Sequence, residues 1–379
     1  MTELLKWCTK SLVTTLAVVA TLFMFASGSP AQNKSTLKLD TGKEIFLAAC
    51  VGCHGPDGKG QPQTTLGFDP PATFPDFSDC KSASPEPNSH WRAMIRDGGA
   101  ARGFSPIMPA FGDALTADQI GKVVAHLRTL CSDPRWPQGD LNLPRPLVTE
   151  KAYPENEVIM TTAVNANKGS AITNTLVIEK RLGARTNAEI IVPGAFQQNP
   201  SGSWLGSVGD IGVELKQTLF GSMRTGSMFS MAGEVTLPSG DAARGLGNGV
   251  TFLESFAAFD QLLPKNSFAL LQVGVETPTR RGQAPSELYL RTAVGKSFAR
   301  GSGRTWSPMV EMVGARELLP RARAEWDLVP EVQITLNKRQ HIRANVGVSI
   351  PVTQTSGRSA QVIFYLLWDW FDGGLREGW

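Results

Sequence analysis

Cys50-Val51-Gly52-Cys53-His54 is the stretch that decides how the first part of this 379-residue chain folds. Two thiols three residues apart on one helical turn can add to the two vinyl groups of a haem, and the imidazole that follows then lies against the iron. A redox disulfide would need a βαβ context, and a zinc site would need a second ligand pair at similar spacing. The sequence shows neither feature, so it predicts one covalently bound haem c.

Residues 1–31 have the order of a secretory signal peptide. Lys6 and Lys10 form a basic start, residues 11–26 carry no charge, and small residues follow as far as Ala31, after which we expect cleavage. The apolar run is shorter than the roughly 20 residues of a comfortable membrane span, and an uncleaved anchor is the alternative. In either case the sequence predicts export, which fits covalent haem attachment.

The remaining cysteines and the net charge give two further expectations. Cys8 lies in the signal peptide, so Cys80 and Cys131 are left as an even pair in an oxidising compartment. A disulfide between them is the prediction, with two free buried thiols as the alternative. The formal net charge of +3 is too small to indicate a nucleic-acid partner.

Helical periodicity is confined to residues 38–131, which we expect to be an all-α domain. The first predicted helix follows a cap at Asp40 or Thr41, the second runs from about Ser89 to Gly98, and the third begins with a capping box at Thr116. About a hundred residues bury little surface without a cofactor, so we expect the haem to form part of the core. Prolines crowd residues 132–155, and this segment is predicted to be a linker.

Four side chains are candidates for the sixth position on the iron: Met94, Met108, His90 and His126. Met94 belongs to the apolar stripe of the second helix, so packing explains it. His126 lies off the stripe of the third helix, as a solvated histidine would. Met108 stands in a loop between two prolines, where a thioether is held in place, and it is the predicted ligand.

Residues 38–131 resemble a class I, single-haem cytochrome c. The resemblance depends on the leading helix with Gly42 and Phe46, on the Cys50–Gly55 motif, on the Met108-Pro109 loop and on the closing helix. It implies thioether bonds at Cys50 and Cys53, and axial ligation by His54 and Met108. Cytochromes with both axial positions filled carry single electrons, so the resemblance favours electron transfer over catalysis.

After the linker, residues 156–379 alternate apolar and polar side chains with a period of two. Phe229, Met231, Gly233, Val235 and Leu237 form one such run. We count about twelve runs, most of nine residues or more, whereas soluble strands centre on about 5–6 residues and membrane-spanning strands need about 9–11. The pattern predicts an all-β antiparallel barrel of about twelve strands.

Strand length, an even strand count and aromatic residues near strand ends favour an outer-membrane barrel with its apolar face towards lipid. These aromatic residues include Phe220, Trp306, Trp326 and Trp368-Trp370, and Trp379 or Phe371 resembles the aromatic end of outer-membrane proteins. A soluble β-sandwich or barrel, acting as a partner-binding domain of a periplasmic cytochrome, is the alternative.

With lipid outside, ten charged residues point into the lumen, where we expect them to form a polar plug; an ion-selective pore is the alternative. They are Glu179, Arg181, Glu214, Lys216, Glu234, Arg291, Glu311, Asp327, Glu331 and Arg343. Lys180 falls on the apolar side of its strand, and we assign it to a membrane interface.

The whole layout is similar to the fused cytochrome–porins of metal-oxidising bacteria, although this predicted barrel is shorter than theirs. The resemblance implies electron transfer at the outer membrane, with the haem domain in the periplasm, periplasmic redox proteins as partners and membrane lipid around the barrel. Direct oxidation of an external metal is not among the implied functions. A small porin with a cytochrome lid or redox gate is the competing hypothesis.

Overall fold

A computed structural model describes residues 39–369, apart from 63, 65, 68, 70–73, 166–170, 199–201, 245–246, 281 and 299–302. The predicted signal peptide and the aromatic residues Trp370, Phe371 and Trp379 lie outside the described residues. Within this part of the chain, no helix is both long enough and apolar enough to cross a membrane.

The first described domain is helical, as the sequence predicts. Its helices are α1 (Gly42–Ala49), α2 (Val51–His54), α3 (Cys80–Ala83), α4 (Asn88–Ala101) and α5 (Ala117–Leu130). Thr41 and Thr116 cap α1 and α5, and each accepts a hydrogen bond from the backbone in a complete capping box. The predicted second helix extends through Gly98, whose positive φ of 78° kinks α4.

Helices α1 and α5 cross at Gly42 and enclose the apolar core of this domain. A Cβ atom at Gly42 would lie 1.9 Å from the carbonyl oxygen of Lys122, so only glycine allows the two helices to approach this closely. Ile45 and Phe46 of α1 pack against the stripe of α5 that begins at Ile120. The leading and closing helices therefore share one face, and the haem motif follows directly from α1.

The second domain is an antiparallel sheet of long strands. These are β1 (Glu157–Asn165), β2 (Ala171–Arg181), β3 (Thr186–Gln198), β4 (Trp204–Val208), β5 (Ile211–Ser222), β6 (Ser227–Leu237), β7 (Phe252–Leu263), β8 (Ser267–Pro278), β9 (Glu287–Lys296), β10 (Trp306–Glu317), β11 (Glu325–Thr335), β12 (Ile342–Pro351) and β13 (Gln361–Asp369). Each strand pairs with its neighbour in sequence except β4 and β5, which both pair with β3, and β1 also pairs with β13.

The sheet closes on itself as a barrel of twelve strands. β4 and β5 follow one another along the same partner, since Gly194–Gln198 of β3 pair with β4 and Thr186–Ile191 pair with β5. The two segments therefore occupy one position in the barrel. The predicted closed barrel is confirmed, and the alternative of a β-sandwich is wrong because the pairings β13–β1, β1–β2 and β2–β3 close the sheet.

The apolar face of the barrel points outward. In β5, Val213 and Leu215 are exposed, whereas Glu214 and Lys216, which alternate with them, are buried. The predicted lumen charges follow the same alternation: five are buried (Glu179, Glu214, Lys216, Glu311 and Glu331) and the other five are half-buried. A continuous exposed apolar surface of this kind is what a lipid-facing barrel presents. Lys180 is exposed near the end of β2.

The proline-rich segment does more than connect the two domains, because its second half runs inside the barrel. Arg145, Thr149, Lys151, Tyr153 and Glu155 are all buried. We call residues 142–155 the lumen segment. Three of the strand charges that the sequence analysis assigned to a polar plug, Glu179, Glu311 and Glu331, therefore bond a stretch of the chain itself.

Candidate functional site

The candidate haem site begins at the junction of α1 and α2. Cys50 ends α1 and precedes α2, which carries Cys53 and His54, so the two thiols and the imidazole lie on adjacent helical turns. Both thiols are half-buried and free. Burial, with a smaller contribution from Cys53, raises the pKa of Cys50 to about 11. The turn therefore presents two free thiols at the edge of the apolar core.

His54 is held in the neutral form that a metal ligand requires. Its ring lies between those of Phe74 and Phe77, each with a centroid 5.1 Å away. Burial lowers the pKa of His54 to about 4. Its Nδ1 atom is buried and has no hydrogen-bond partner among the described residues. A neutral imidazole among apolar rings fits a haem ligand.

Met108 packs against the same core, although it lies far from His54 in the sequence. Its loop packs against Gly98 and Gly99: the Gly99 N–H donates to the Met108 carbonyl at 3.0 Å. A Cβ atom at Gly99 would lie 2.0 Å from the carbonyl oxygen of Ser105, so a larger residue would push the loop away. The side chains of Met108 and Cys50 both pack against the cluster formed by α1, α4 and α5. These residues fit a haem c.

The other candidate axial ligands are placed differently. His90 is engaged on both ring nitrogens, with Nδ1 3.0 Å from Glu86 Oε2 and Nε2 2.9 Å from Gln340 Oε1. His126 lies edge-on to Phe46, with ring centroids 5.4 Å apart. Met94 is half-buried on α4. The contacts of His90 leave it no nitrogen for iron.

Cys80 and Cys131 are joined by a disulfide, with sulfur atoms 2.01 Å apart. It ties the start of α3 to the end of α5. Arg128 lies above the ring of Trp91 and donates to the carbonyl oxygens of Ala83 and Glu86, which fixes α5 against the residues before α4. The disulfide therefore closes the domain at the point where the chain leaves for the barrel.

The helical domain docks on one mouth of the barrel. Arg339, in the turn between β11 and β12, donates to the carbonyl oxygen of Gly103 at 2.9 and 2.7 Å and stacks on Phe104. Beside it, Glu86 Oε1 lies 3.5 Å from Nε2 of His341. β1 begins and β13 ends at this mouth, and the turns here are mostly short.

Polar groups of the barrel wall hold the lumen segment along its length. Arg145 bonds Glu157 at 2.9 Å and Glu179 at 2.5 Å. Wall side chains accept from its backbone N–H groups: Glu331 from Leu147, Glu311 from Val148 and Thr149, Gln272 from Glu150, and Asp260 from Ala152. The segment thus fills the lumen on the side of the helical domain.

Sequence reasoning named the candidate haem residues but did not predict the lumen segment. Its prolines and missing periodicity indicate an irregular chain, which is as compatible with a linker as with a plug. One signal of a buried role was available in the sequence. The segment carries four charged residues among many apolar ones: Arg145, Glu150, Lys151 and Glu155. The partners of these charges lie on strands far away in the sequence.

Residues 39–131 match the sequence profile of the cytochrome c family. This region is therefore a cytochrome c domain, and such a domain implies haem c and electron transfer. The comparison with curated proteins found no significant relative.

Solved outer-membrane channels are similar to the barrel in fold. An outer-membrane channel from Pseudomonas putida F1 is 11% identical, with a TM-score of 0.41, over 59% of this chain and 99% of that one. The NanC porin is 9% identical, with a TM-score of 0.38, over 56% and 98% of the two chains. The KdgM porin is 8% identical, with a TM-score of 0.36, over 56% and 99%.

Proposed function

Since the chain joins a cytochrome c domain to a closed barrel with an apolar outer face, we propose that it is an electron carrier anchored in the outer membrane. One haem c is bound covalently by Cys50 and Cys53, with His54 and Met108 as the axial ligands. The observation that carries this proposal is the half-buried imidazole of His54, whose Nδ1 atom is buried and whose ring contacts Phe77, which packs against the same core as Met108.

When bound, the haem supplies a one-electron couple between its two iron oxidation states. Cys50, Cys53, His54 and Met108 would hold it beside the core of α1, α4 and α5, where burial keeps His54 unprotonated and the Gly98-Gly99 pair admits the Met108 loop. With His54 and Met108 both bound to the iron, small molecules would have no free position on it. This arrangement favours carriage of electrons over catalysis.

The helical domain faces the periplasm in this proposal. Bacterial outer-membrane barrels have short periplasmic turns and longer outer loops. Residues 182–185, 223–226 and 264–266 are short turns at the mouth that carries the cytochrome domain, whereas residues 238–251 form a long connection at the opposite mouth. Periplasmic redox proteins are then the partners, and lipid surrounds the outer face of the strands.

The competing hypothesis of a small porin is disfavoured by the lumen segment. Its backbone N–H groups are bonded to wall residues on several strands, so solute would have to displace residues 147–152 before it could pass. We expect protein reconstituted in lipid vesicles to show no solute flux above empty vesicles. Flux as large as that of an open porin, equal with and without haem, would favour transport.

Membrane fractionation combined with a haem stain tests the main proposal. We expect the stained protein in the outer membrane, reduced and reoxidised by a soluble electron donor and acceptor. Cys53→Ala should weaken or abolish haem that survives denaturing electrophoresis, because one thioether bond is lost. Val51→Ala, within the same motif, is the control and should stain like the wild type. A Cys53→Ala protein that also stains fully would contradict the proposed attachment.

A further inference from the structure

The turn between β10 and β11, residues 318–324, lies at the mouth opposite the cytochrome domain. We call it the rim turn. Its backbone is tied to the neighbouring hairpin, because the Leu318 N–H donates to the carbonyl oxygen of Ser286 at 2.7 Å. Within the turn, the Ala322 N–H donates to the carbonyl oxygen of Leu319 at 3.2 Å. The rim turn is therefore held against the mouth of the barrel.

Three exposed arginines belong to the rim turn or precede it: Arg316, Arg321 and Arg323. Within the part of the chain that the structure describes, none of them has a carboxylate partner or a side-chain hydrogen bond. Glu325, the acidic residue that follows Arg323, is paired with Arg358 at 3.2 Å instead. A guanidinium group carries five N–H donors, so these side chains are available to an anionic partner.

Acidic and basic side chains lie on opposite faces of the wall at this mouth. Glu311 of β10 is buried in the lumen, and the period of two places Glu317 on the same face and Arg316 on the outer one. The register places Glu317 opposite Glu287, and Arg316 opposite Leu288, which is exposed on the outer face. The two glutamates at this mouth therefore face the lumen, whereas Arg316 faces away from the barrel axis.

Below the rim turn, the outer face is apolar as far as a tryptophan. Leu290, Met312 and Leu328 are exposed on three neighbouring strands. Trp326 follows towards the rim, and a Cβ atom at Gly314 would lie 2.4 Å from its ring, so the glycine lets the indole lie against the wall. Tryptophan is enriched where the apolar band of a barrel meets the headgroups. The rim turn therefore begins where the headgroup region of the bilayer is expected.

The rim turn also carries two exposed leucines beside its arginines. Leu318 is 53% exposed and Leu319 is 48% exposed. At a membrane surface, leucine side chains enter the boundary between headgroups and acyl chains, while the longer basic side chains reach the charged groups above. Apolar and basic side chains in one turn thus fit an anionic lipid surface better than they fit a soluble acidic protein.

We propose that the rim turn binds the phosphate groups of a lipid in the outer leaflet through Arg316, Arg321 and Arg323. Guanidinium groups match phosphate oxygens with paired N–H bonds. Lipid A, which carries phosphates on its sugars and several acyl chains, is the lipid of this chemistry in the outer leaflet of a bacterial outer membrane. The inference rests on the proposed function, which places this mouth on the outer side, but it does not depend on the haem.

Native mass spectrometry of the full-length protein in detergent, with lipid A added, tests the proposal. We expect lipid A adducts on the wild type and at least about tenfold weaker binding to Arg321→Gln with Arg323→Gln, because two charges near the phosphates are removed. Arg224→Gln with Arg304→Gln is the matched control. Both of its arginines are exposed in connections at the mouth with the cytochrome domain, so it removes the same charge and should bind lipid A like the wild type.

Heat-modifiable gel mobility shows that each variant is folded before the measurement, and Arg316→Gln replaces the rim variant if that one does not assemble. Loss of binding in the rim variant with retention in the control supports the site. Equal binding by the two variants would overturn it, as would a wild type that forms no adduct. Equal binding of dephosphorylated lipid A, or displacement of lipid A by millimolar inorganic phosphate, would also overturn it. Haem-stained protein that fractionates with the outer membrane but binds no lipid A would contradict this inference and leave the proposed function intact.

Discussion

His54 keeps its neutral form through burial and not through a hydrogen bond. Two phenylalanine rings enclose the imidazole, so a proton on both nitrogens would be placed in an apolar environment. The pKa of about 4 follows from that desolvation. A ligand prepared in this way needs no base to deprotonate it when haem is attached.

At the same scale, Met108→Ala tests the sixth ligand. Covalent haem should be retained, because the thiols and His54 are unchanged, but the near-infrared band of sulfur-to-iron ligation in the oxidised protein should disappear. Met ligation raises the reduction potential, so we also expect a lower midpoint potential in the variant. Absorption spectroscopy and potentiometric titration measure both.

Met94→Ala is the matched control, since Met94 belongs to the same domain but packs on α4. It should keep the near-infrared band. If the band survives in Met108→Ala and disappears in Met94→Ala, the assignment of the sixth ligand is wrong.

At the scale of structural elements, the position of the lumen segment in the barrel depends most on the side chain of Arg145. Arg145 is buried and bonds three carboxylates, Glu150, Glu157 and Glu179. Arg145→Ala would leave these charges uncompensated, and breaking a buried ion pair costs about 3–5 kcal/mol. We expect the variant barrel to lose its folded gel mobility at a clearly lower temperature than the wild type.

Arg135→Ala is the control for Arg145→Ala. Arg135 pairs with Asp133 at 2.8 Å but is three-quarters exposed, so we expect the temperature at which folded gel mobility is lost to change little. Equal shifts in the two variants would mean that the lumen segment contributes little to the stability of the barrel.

The alternation of exposed and buried side chains along the strands predicts which residues contact lipid. Val346 lies in the middle of β12 and is 49% exposed on the outer face. Val346→Arg should impair assembly, because an arginine facing lipid at the bilayer midplane costs about 2–4 kcal/mol. Heat-modifiable gel mobility of the membrane-extracted protein measures the assembled fraction.

Ser349→Arg, on the lumen face of the same strand, is the matched control. Ser349 is half-buried, whereas the amide of Asn345 bonds Glu331 at 2.6 Å and has no room for a longer side chain. We expect Ser349→Arg to assemble much better than Val346→Arg. Comparable assembly of the two, or a protein that needs no detergent, would exclude the lipid-facing surface.

For the molecule as a whole, docking of the cytochrome domain depends on a carboxylate between two histidines. Burial acts to raise the pKa of Glu86, but the hydrogen bond and charge of His90, with the charges of His341 and Arg102, lower it to about 2. A depressed carboxyl pKa stabilises the docked state above the ordinary value of 4.5 and loses this effect as the pH falls towards 2.

Digestion with pepsin between pH 5 and pH 2.5, with each rate divided by the rate for an unfolded reference substrate at the same pH, tests this dependence. We expect cleavage between residues 132 and 141 to increase as the pH falls, while the haem spectrum shows that the cytochrome domain is still folded. Glu86→Gln should be cleaved more readily at pH 5 and should change little on acidification. A wild-type profile that is flat over this range would argue against docking through Glu86.

The sequence by itself determined the haem motif, the three main helices and the barrel. The spacing of Cys50, Cys53 and His54, the capping box at Thr116 and the alternation of Phe229 to Leu237 are local patterns, and local patterns appear in the chain directly. Strand length and number favoured a closed sheet with an apolar outer face over a soluble β-sandwich or barrel, and the tertiary structure decided between them.

Only the tertiary structure decided what fills the barrel and which carboxylates stand opposite one another. The lumen segment has no period of its own, and its partners Glu311 and Glu331 follow it by more than 150 residues. The facing of glutamates on neighbouring strands depends on register, which places Glu157 opposite Glu179 and Glu254 opposite Glu276. Spacing along the chain does not contain that register, because it is set when neighbouring strands align and the barrel closes.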